Sequence, residues 1–401
     1  MNTKSEIKYV LNNTVKIEDT EFLDPFKSEA MNEVYSFHKS YPGYEPTPLW
    51  SLENLSSKLG LNSIYVKDES YRFGLNAFKV LGGSYAVAKY ISQKINLDGN
   101  KITFETLKSK VVNEQVGDIT FVTATDGNHG RGMAWAANQL GYKAVVFMPK
   151  GSAITRLENI KKEGAMAEIL DMNYDDAVRY AKEYADKNNG VLLQDTAWQG
   201  YEEIPTWIMQ GYTTLIQEAV EQLSERGEKP THVLLQAGVG SFASSVVGYL
   251  QKNVVGEKPI SIILEPDKAD CIYKSAKIGD GHPHTVTGEL NTIMAGLACG
   301  EPSTISWPIL RDYSKMYVSC EDHVAALGMR ILGNPLQNDP SVVSGESGAV
   351  GIGFLKMVMG SGEYKGISEA LHLDETSKVL IINTEGDTDP ENYRKIVWGT
   401  L

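Results

Sequence analysis

The chain has 401 residues, of which 42% are hydrophobic and 22% charged, and its formal net charge is −13. This length and balance predict a folded protein with two domains, not a disordered chain. The negative charge disfavours nucleic acid and anionic membranes as partners, and no apolar run approaches the roughly 20 residues that a bilayer span needs.

The N-terminal segment MNTKSEIKYVLNNTVKIEDTEF lacks the apolar stretch of a secretory signal, so a cytoplasmic location is expected. The cysteines Cys271, Cys299 and Cys320 have no CxxC spacing and no neighbouring histidine pair. This spacing predicts ordinary thiols and no metal site. A Cys271–Cys299 pair stays open, because spacing alone does not decide it.

Short β-rich runs alternate with helical patterns along the chain, as parallel α/β folds require. The predicted strands are Ser63–Lys67, Ile119–Thr123, Ala144–Met148, Val191–Leu193, His232–Gln236, Ile260–Leu264 and Val379–Asn383. Most are followed by glycine and a helical stretch. Ligands of such sheets bind beyond the carboxyl ends of the strands, so the chemistry is expected in the loops there.

The most polar stretch, from Gln93 to Gln115, is interpreted as a surface insertion. No linker of low complexity separates the domains, which favours one domain inserted into the other. We expect a large domain formed by residues 1–88 and 201–401, and a smaller inserted α/β domain formed by residues 89–200.

Lys79 follows a predicted strand and a glycine-containing loop in IYVKDESYRFGLNAFKVLGGSYA, at the head of an apolar helix. Burial and the helix N-terminus are expected to lower the pKa of its amine, which would make it a usable nucleophile. The alternative is a surface lysine at a helix start. The apolar residues VLGGSYAVA that follow disfavour that alternative.

The segment TATDGNHGRG turns from a strand into a helix at Asp126 and Asn128. Exposed backbone N–H groups and a short amide there suit a ligand rich in oxygen. The alternative is an Asp-Gly turn with an asparagine N-cap, and His129 alone is interpreted as structural.

A glycine loop follows the strand His232–Gln236 in LLQAGVGSFASS and opens a helix, which predicts a phosphate-binding site of backbone N–H groups. The same segment also fits the dinucleotide-binding fingerprint, because it has the spacing G-x-G-x-x-A and the next strand ends at an acidic residue, Glu265. A nicotinamide-dependent oxidoreductase therefore stays open at this point. That alternative leaves Lys79 and the Asp126 loop unexplained.

An aromatic run follows Asp195 in QDTAWQGYEEIPTWIMQGY. Such clusters are more often core than ligand contacts, so Trp198, Tyr201, Trp207 and Tyr212 are expected to pack. Asp195 itself ends a strand and is the better candidate for function.

The order of these motifs resembles the fold-type II pyridoxal 5′-phosphate enzymes, from TPL at residues 47–49 to INTEGDTD at 382–389. The fold implied is two open, twisted, mainly parallel sheets flanked by helices, with the large domain binding the cofactor. Within that family, DGNHGRG and QDTAWQGYEEIPTWIMQGY are most similar to the diaminopropionate ammonia-lyases.

The resemblance implies roles for particular residues. Lys79 would hold pyridoxal 5′-phosphate as a Schiff base, although Ala77 replaces the usual serine two positions earlier. Asn128 would bind the phenolic oxygen, and Thr384 would face the pyridine nitrogen. The phosphate would lie on the loop formed by Gly238, Val239, Gly240 and Ser241.

Asp126 stands where the wider family has a small residue. With Asp195 it would supply acid/base groups on opposite faces, Asp126 for the D-substrate and Asp195 for the L-substrate. The implied reaction is α,β-elimination of 2,3-diaminopropionate, a small amino acid, to pyruvate and two ammonia. Each carboxyl pKa is expected to be raised by partial burial.

The resemblance also implies a homodimer. A serine or threonine dehydratase of the same family is the nearest alternative, and a non-catalytic protein that binds the cofactor is another.

Overall fold

The computed structural model of the protein describes residues 6–13 and 21–399, and it contains two sheets flanked by helices. Within these residues the strands are β1 Ile7–Leu11, β2 Leu49–Ser51, β3 Ser63–Asp68, β4 Thr120–Ala124, β5 Lys143–Met148, β6 Met166–Ile169, β7 Val191–Leu192, β8 His232–Gln236, β9 Ile260–Pro266, β10 Met316–Cys320 and β11 Lys378–Asn383.

The helices cover both faces of the sheets. They are α1 Ser28–Lys39, α2 Glu53–Leu59, α3 Val80–Lys94, α4 Phe104–Lys108, α5 Lys110–Val116, α6 Asn128–Gln139, α7 Ile154–Lys162, α8 Tyr174–Lys187, α9 Glu203–Glu225, α10 Ser241–Asn253, α11 Cys271–Ile278, α12 Ser306–Tyr313, α13 Asp322–Gly333, α14 Glu346–Gly360, α15 Lys365–Leu371 and α16 Pro390–Val397. Short 3₁₀ helices occupy Glu21–Phe26, Glu69–Gly74, Gly99–Lys101, Ala295–Leu297 and Gly362–Tyr364. In the part of the chain described, no helix is both long enough and apolar enough to cross a membrane.

The larger sheet has the order β1-β10-β9-β8-β11-β3-β2, and the smaller sheet has the order β6-β5-β4-β7. Among the described strands, only β1 and β2 run antiparallel to their neighbours, so both sheets are mainly parallel. The central strand β8 is buried at every position, as expected for a parallel strand with helices on both faces. The predicted fold class is confirmed.

All seven predicted strands are present, with ends that differ by at most two residues. The interpretation of residues 93–115 as a surface insertion is wrong. The segment forms α4 and α5, and Ile102, Phe104, Leu107 and Val112 are buried in the core. Its charged residues lie on the outer side of these helices, which explains why the segment is polar on average.

The smaller sheet lies between residues 120 and 192, inside the predicted inserted domain of residues 89–200. The domain boundaries themselves stay a prediction. Strand β1 lies in the N-terminal segment that was considered as a secretory signal, and it forms an edge of the larger sheet. Residues 1–5 and 14–20 of that segment lie outside the described residues.

A buried ion-pair network holds the chain between β3 and α3. Glu218 of α9 accepts hydrogen bonds from Lys67 at 2.6 Å and from Arg72 at 2.8 Å. Arg72 also contacts Glu69 at 2.9 Å. All four side chains are almost completely buried, so each charge depends on the others for compensation. The network fixes the segment that leads into Lys79.

Helix α3 packs closely against α9 and α6 because glycines lie at the contacts. A side-chain carbon on Gly82 would lie 2.5 Å from Tyr212 Cε1 and 2.9 Å from the Ile208 carbonyl oxygen. A carbon on Gly132 of α6 would lie 2.6 Å from Val80 Cα. These contacts fix the start of α3, and with it Lys79.

Gly82→Ala is therefore expected to lower the free energy of unfolding by about 1–3 kcal/mol, because the added methyl group overpacks the interface between α3 and α9. Gly362→Ala is the matched control, since a side-chain carbon there would meet no atom of the described residues within 4 Å. Urea unfolding of both variants measures the difference. Equal stability of the two variants would contradict the packing argument.

Candidate active site

A cleft of about 720 Å³ opens at the carboxyl ends of β4, β8 and β11. Every residue predicted to belong to the site lines it: Lys79, Asp126, Asn128, Asp195, Gly238, Val239, Gly240, Ser241 and Thr384. These residues come from five separate stretches of the chain. The fold therefore brings the whole predicted set together.

Lys79 pairs with Asp195 in the cleft. The Lys79 Nζ donates to Asp195 Oδ2 at 2.8 Å, and the two side chains are 17% and 5% exposed. Burial acts to lower the pKa of Lys79, but the Asp195 carboxylate outweighs it and the pKa lies above the ordinary value. The expectation of a lowered lysine pKa is wrong for the free amine, because its carboxylate partner comes from a distant segment.

The same ion pair corrects the expectation for Asp195. Burial acts to raise its pKa, but the Lys79 ammonium, with a further contribution from His129, lowers it to about 2. As long as Lys79 carries a protonated amine that is not bound to a cofactor, Asp195 is therefore ionised throughout the neutral pH range.

Asp126 contacts Arg156, a residue that the sequence analysis missed. Arg156 Nη1 donates to Asp126 Oδ2 at 3.0 Å, and its Nη2 lies 3.9 Å from Glu385 Oε2. The Nε of Arg156 is buried without a partner in the described part of the chain. Arg156 lies in α7, which follows β5 of the smaller sheet, whereas Glu385 follows β11 of the larger sheet. The approach of Arg156 to Glu385 therefore spans the cleft.

Asn128 is the first residue of α6, and Gly127 takes the N-cap position that the alternative gave to the asparagine. The side-chain amide of Asn128 therefore does not cap the helix and faces the cleft, where its Nδ2 donates to Glu385 Oε2 at 2.6 Å. His129 is buried and its Nε2 donates to the Leu193 carbonyl oxygen at 2.8 Å. This agrees with the structural role expected for His129.

The glycine loop presents backbone donors to the cleft. Gly240 has a φ of +97°, a left-handed conformation that favours glycine, and α10 begins directly after it. The N–H groups of residues 238–241 donate to no other group among residues 6–13 and 21–399. Unpaired donors at the start of a helix suit a phosphate group.

Glu265 is not available to a ribose, as the dinucleotide alternative would require. It is completely buried, and its two oxygens accept the N–H groups of Ile272 at 2.8 Å and Tyr273 at 2.6 Å. The carboxylate thus binds the start of α11. This geometry argues against a nicotinamide cofactor on the Gly238 loop.

Thr384 directly follows β11, and its hydroxyl is oriented by Gln236. The Gln236 Nε2 donates to Thr384 Oγ1 at 2.8 Å and to the Ile382 carbonyl oxygen at 3.0 Å. Because Thr384 accepts from Gln236, its own proton is available to an acceptor in the cleft, such as an unprotonated pyridine nitrogen. Together with the glycine loop, this donor set fits pyridoxal 5′-phosphate.

The aromatic residues after Asp195 mostly pack, as expected. Trp198 stacks on Tyr201 with ring centroids 4.4 Å apart. Tyr212 lines the cleft, and its buried hydroxyl has no partner within the described residues. Cys271, Cys299 and Cys320 are free thiols, so the pair that was left open is not formed.

Glu346, another residue that the sequence analysis missed, lines the cleft at the start of α14. Burial, reinforced by the neighbouring Glu385, raises its pKa to about 7. Asn392 donates a hydrogen bond to its carboxyl group. Near neutral pH this side chain can therefore hold a proton inside the cleft.

The raised pKa of Glu346 predicts a pH-dependent stability. The folded carboxyl keeps its proton up to about pH 7, whereas an unfolded glutamate loses it near its ordinary value of 4.5. Between pH 4.5 and about pH 7 the folded state binds more protons than the unfolded state. The contribution of Glu346 to the free energy of unfolding therefore falls as the pH rises through this range and is fully lost above pH 7.

Glu346→Gln removes the ionisable group and is expected to stabilise the holoenzyme, by about 2 kcal/mol more at about pH 8.5 than at about pH 5. Urea unfolding of wild type and variant at both pH values measures this. A stability difference that does not change with pH would disprove the assignment.

Known proteins resemble this chain over most of its length. The model of the pyridoxal-phosphate dependent enzyme family matches residues 41–372. The diaminopropionate ammonia-lyase of Salmonella typhimurium is 56% identical over 369 residues, which are 92% of this chain and 91% of that protein.

Solved structures agree with the sequence match. The holo form of diaminopropionate ammonia-lyase from Escherichia coli superposes with a TM-score of 0.91 at 49% identity, covering 98% of this chain and 97% of that one. The same enzyme with an aminoacrylate–PLP azomethine reaction intermediate gives a TM-score of 0.89, with the same identity and coverage. This protein belongs to the family of pyridoxal-phosphate dependent enzymes.

Proposed function

We propose that the protein is a diaminopropionate ammonia-lyase that converts D- and L-2,3-diaminopropionate to pyruvate and two ammonia with pyridoxal 5′-phosphate. The observation that carries the proposal is the pair of carboxylates, Asp126 and Asp195, in one cleft with Lys79. The similarity to the Salmonella typhimurium and Escherichia coli ammonia-lyases supports it.

Different residues of the cleft would contact different parts of the cofactor. Lys79 would hold it covalently, the N–H groups of residues 238–241 would bind its phosphate, and Asn128 and Thr384 would contact its ring. When bound, pyridoxal phosphate acidifies the Cα–H bond of an attached amino acid and accepts its electrons. A neutral hydroxyl such as that of Thr384 leaves the ring nitrogen unprotonated, which favours elimination over a long-lived carbanion.

The two carboxylates supply the proton transfers. Asp195 takes the Cα proton of the L-substrate and Asp126 that of the D-substrate, from opposite sides. Arg156 holds Asp126 in place at 3.0 Å. The β-amine is protonated when it leaves, so it departs as neutral ammonia. An unprotonated amine would have to leave as amide ion, which is a far poorer leaving group. Lys79 then displaces the product, and hydrolysis gives pyruvate and the second ammonia.

A serine or threonine dehydratase is the second candidate, since such enzymes share the lysine and the phosphate loop. The carboxylate at Asp126 disfavours it, because an anionic cleft favours a substrate with an additional ammonium group. A coupled pyruvate assay on D- and L-diaminopropionate, serine and threonine separates the two. Higher kcat/KM on diaminopropionate supports the ammonia-lyase, and higher kcat/KM on serine or threonine refutes it.

We also propose that the enzyme is a cytoplasmic homodimer. The free thiols of all three cysteines are consistent with a reducing compartment, and the dimer is carried over from the family resemblance. Light scattering coupled to size-exclusion chromatography would test the dimer, with a monomer mass as the contrary result.

A further inference from the structure

Three oxygen atoms from separate segments converge beside Gly296, at the wall of the cleft. A side-chain carbon on Gly296 would lie 3.3 Å from Ser347 Oγ, 3.6 Å from Asp126 Oδ2 and 4.0 Å from Glu385 Oε1. Ser347 is in the first turn of α14, Asp126 precedes α6 and Glu385 follows β11. One point in the cleft is therefore close to a hydroxyl and two carboxylates.

One of these oxygens, Ser347 Oγ, is buried and has no partner among the residues that the structure describes. Ser347 is 4% exposed and its Oγ makes no hydrogen bond. Glu385 is 2% exposed; its Oε2 accepts from Asn128 at 2.6 Å and from Thr388 at 3.0 Å, which leaves Oε1 facing Gly296. Buried polar atoms without partners are costly, so such atoms in a cleft indicate a ligand that completes them.

The charge of this part of the cleft is negative. Arg156 contacts Asp126 and approaches Glu385, and its pKa is raised, against the effect of burial, by the carboxyl groups of Glu385, Asp126, Glu346 and Asp389. Among the described residues that line the cleft, Arg156 is the one arginine, and it faces the carboxylates of both Asp126 and Glu385. The ligand group best suited to this position is therefore a cation that donates hydrogen bonds.

We propose that Ser347, Glu385 and Asp126 form the subsite for the β-ammonium group of the substrate. The inference rests on the proposed function and names the residues that select a diamino acid. An ammonium has three N–H donors for the three oxygens, whereas the hydroxyl of serine has one donor and no charge. Gly296 leaves room for the ammonium group, because a side-chain carbon there would itself lie 3.3 to 4.0 Å from the three oxygens.

The test compares three variants of the holoenzyme with diaminopropionate and with serine as substrates. Glu385→Gln removes the charge, Ser347→Ala removes the hydroxyl, and Gly296→Ala fills the site without a change in charge. The control is Glu289→Gln, an exposed carboxylate at the rim that loses the same charge. It is expected to leave the ratio of kcat/KM for the two substrates unchanged.

Glu385→Gln and Gly296→Ala are expected to lower kcat/KM for diaminopropionate by about 10- to 100-fold, and Ser347→Ala by about 5-fold, while kcat/KM for serine changes by less than about 3-fold. Parallel losses for both substrates would overturn the proposal, because they would indicate a general effect on the cofactor or the fold. An unchanged ratio in Gly296→Ala would overturn it as well.

Titration of the visible absorbance of the holoenzyme with diaminopropionate separates this inference from the proposed function. A half-saturation concentration at least about 10-fold higher in Glu385→Gln than in wild type supports the subsite, even if wild type releases no pyruvate and the proposed function fails. Equal half-saturation concentrations overturn the subsite, even if diaminopropionate is turned over.

Discussion

Lys79→Ala is expected to remove the covalently held cofactor and to lower pyruvate formation by about 10³-fold or more, as knockouts of covalent catalysts do. Lys79 is the amine at the head of α3, it is held by Asp195 at 2.8 Å, and it shares one cleft with the donors for phosphate and ring. The measurement is the visible absorbance of the dialysed protein after incubation with pyridoxal 5′-phosphate, together with the pyruvate rate.

The matched control is Lys94→Ala, which removes an exposed lysine from the other end of the same helix. It is expected to keep both absorbance and rate. Retained absorbance and turnover in Lys79→Ala would show that another group holds the cofactor.

Asp126→Asn and Asp195→Asn are expected to act on opposite enantiomers. Loss of a positioned general base typically costs about 10²- to 10⁴-fold in rate. Asp126→Asn should therefore lower kcat for D-diaminopropionate by about that factor and leave kcat for the L-isomer nearly unchanged, and Asp195→Asn should do the reverse. Because Asp126 also belongs to the proposed ammonium subsite, Asp126→Asn should in addition raise KM for both isomers. Asparagine keeps the shape of the side chain but removes its charge and its basicity.

The measurement is steady-state pyruvate release from each enantiomer by both variants. Asp195→Asn also removes the partner of Lys79, so cofactor content is measured by absorbance and rates are normalised to it. Equal losses for both enantiomers in both variants would disprove the division of labour. A loss confined to KM would show that the carboxylates bind the substrate and do not remove its proton.

Local patterns were sufficient to predict seven of the eleven described strands and to place the loops proposed to bind the cofactor in one cleft. Strands such as β8 and β11 are short apolar runs that end in glycine or polar residues, and their carboxyl ends meet at one edge in any parallel sheet. Lys79, Asn128 and the Gly238 loop lie in such turns. Four strands were missed. Strands β1 and β2 lie at the edges of the larger sheet and β6 is a partly exposed edge strand, so their apolar patterns are weak, whereas β10 is buried at every position but includes a serine and a cysteine among its five residues.

Contacts between distant segments could not be predicted in this way. Arg156 lies in an amphipathic helix where a basic residue suggests a solvated surface, yet it is buried, pairs with Asp126 and approaches Glu385 across the cleft. The pKa of Asp195 was expected to rise with burial, but the ion pair with Lys79 reverses the direction. Glu385 had a signal that could have found it, since it stands next to Thr384 at the carboxyl end of β11.

The measurement that tests the central claim most directly is the ratio of ammonia to pyruvate released from 2,3-diaminopropionate by the holoenzyme. An ammonia-lyase that eliminates the β-amine and then hydrolyses the product releases two ammonia for each pyruvate. We expect that ratio for both enantiomers, with no turnover by Lys79→Ala. One ammonia per pyruvate, or ammonia without pyruvate, would contradict it.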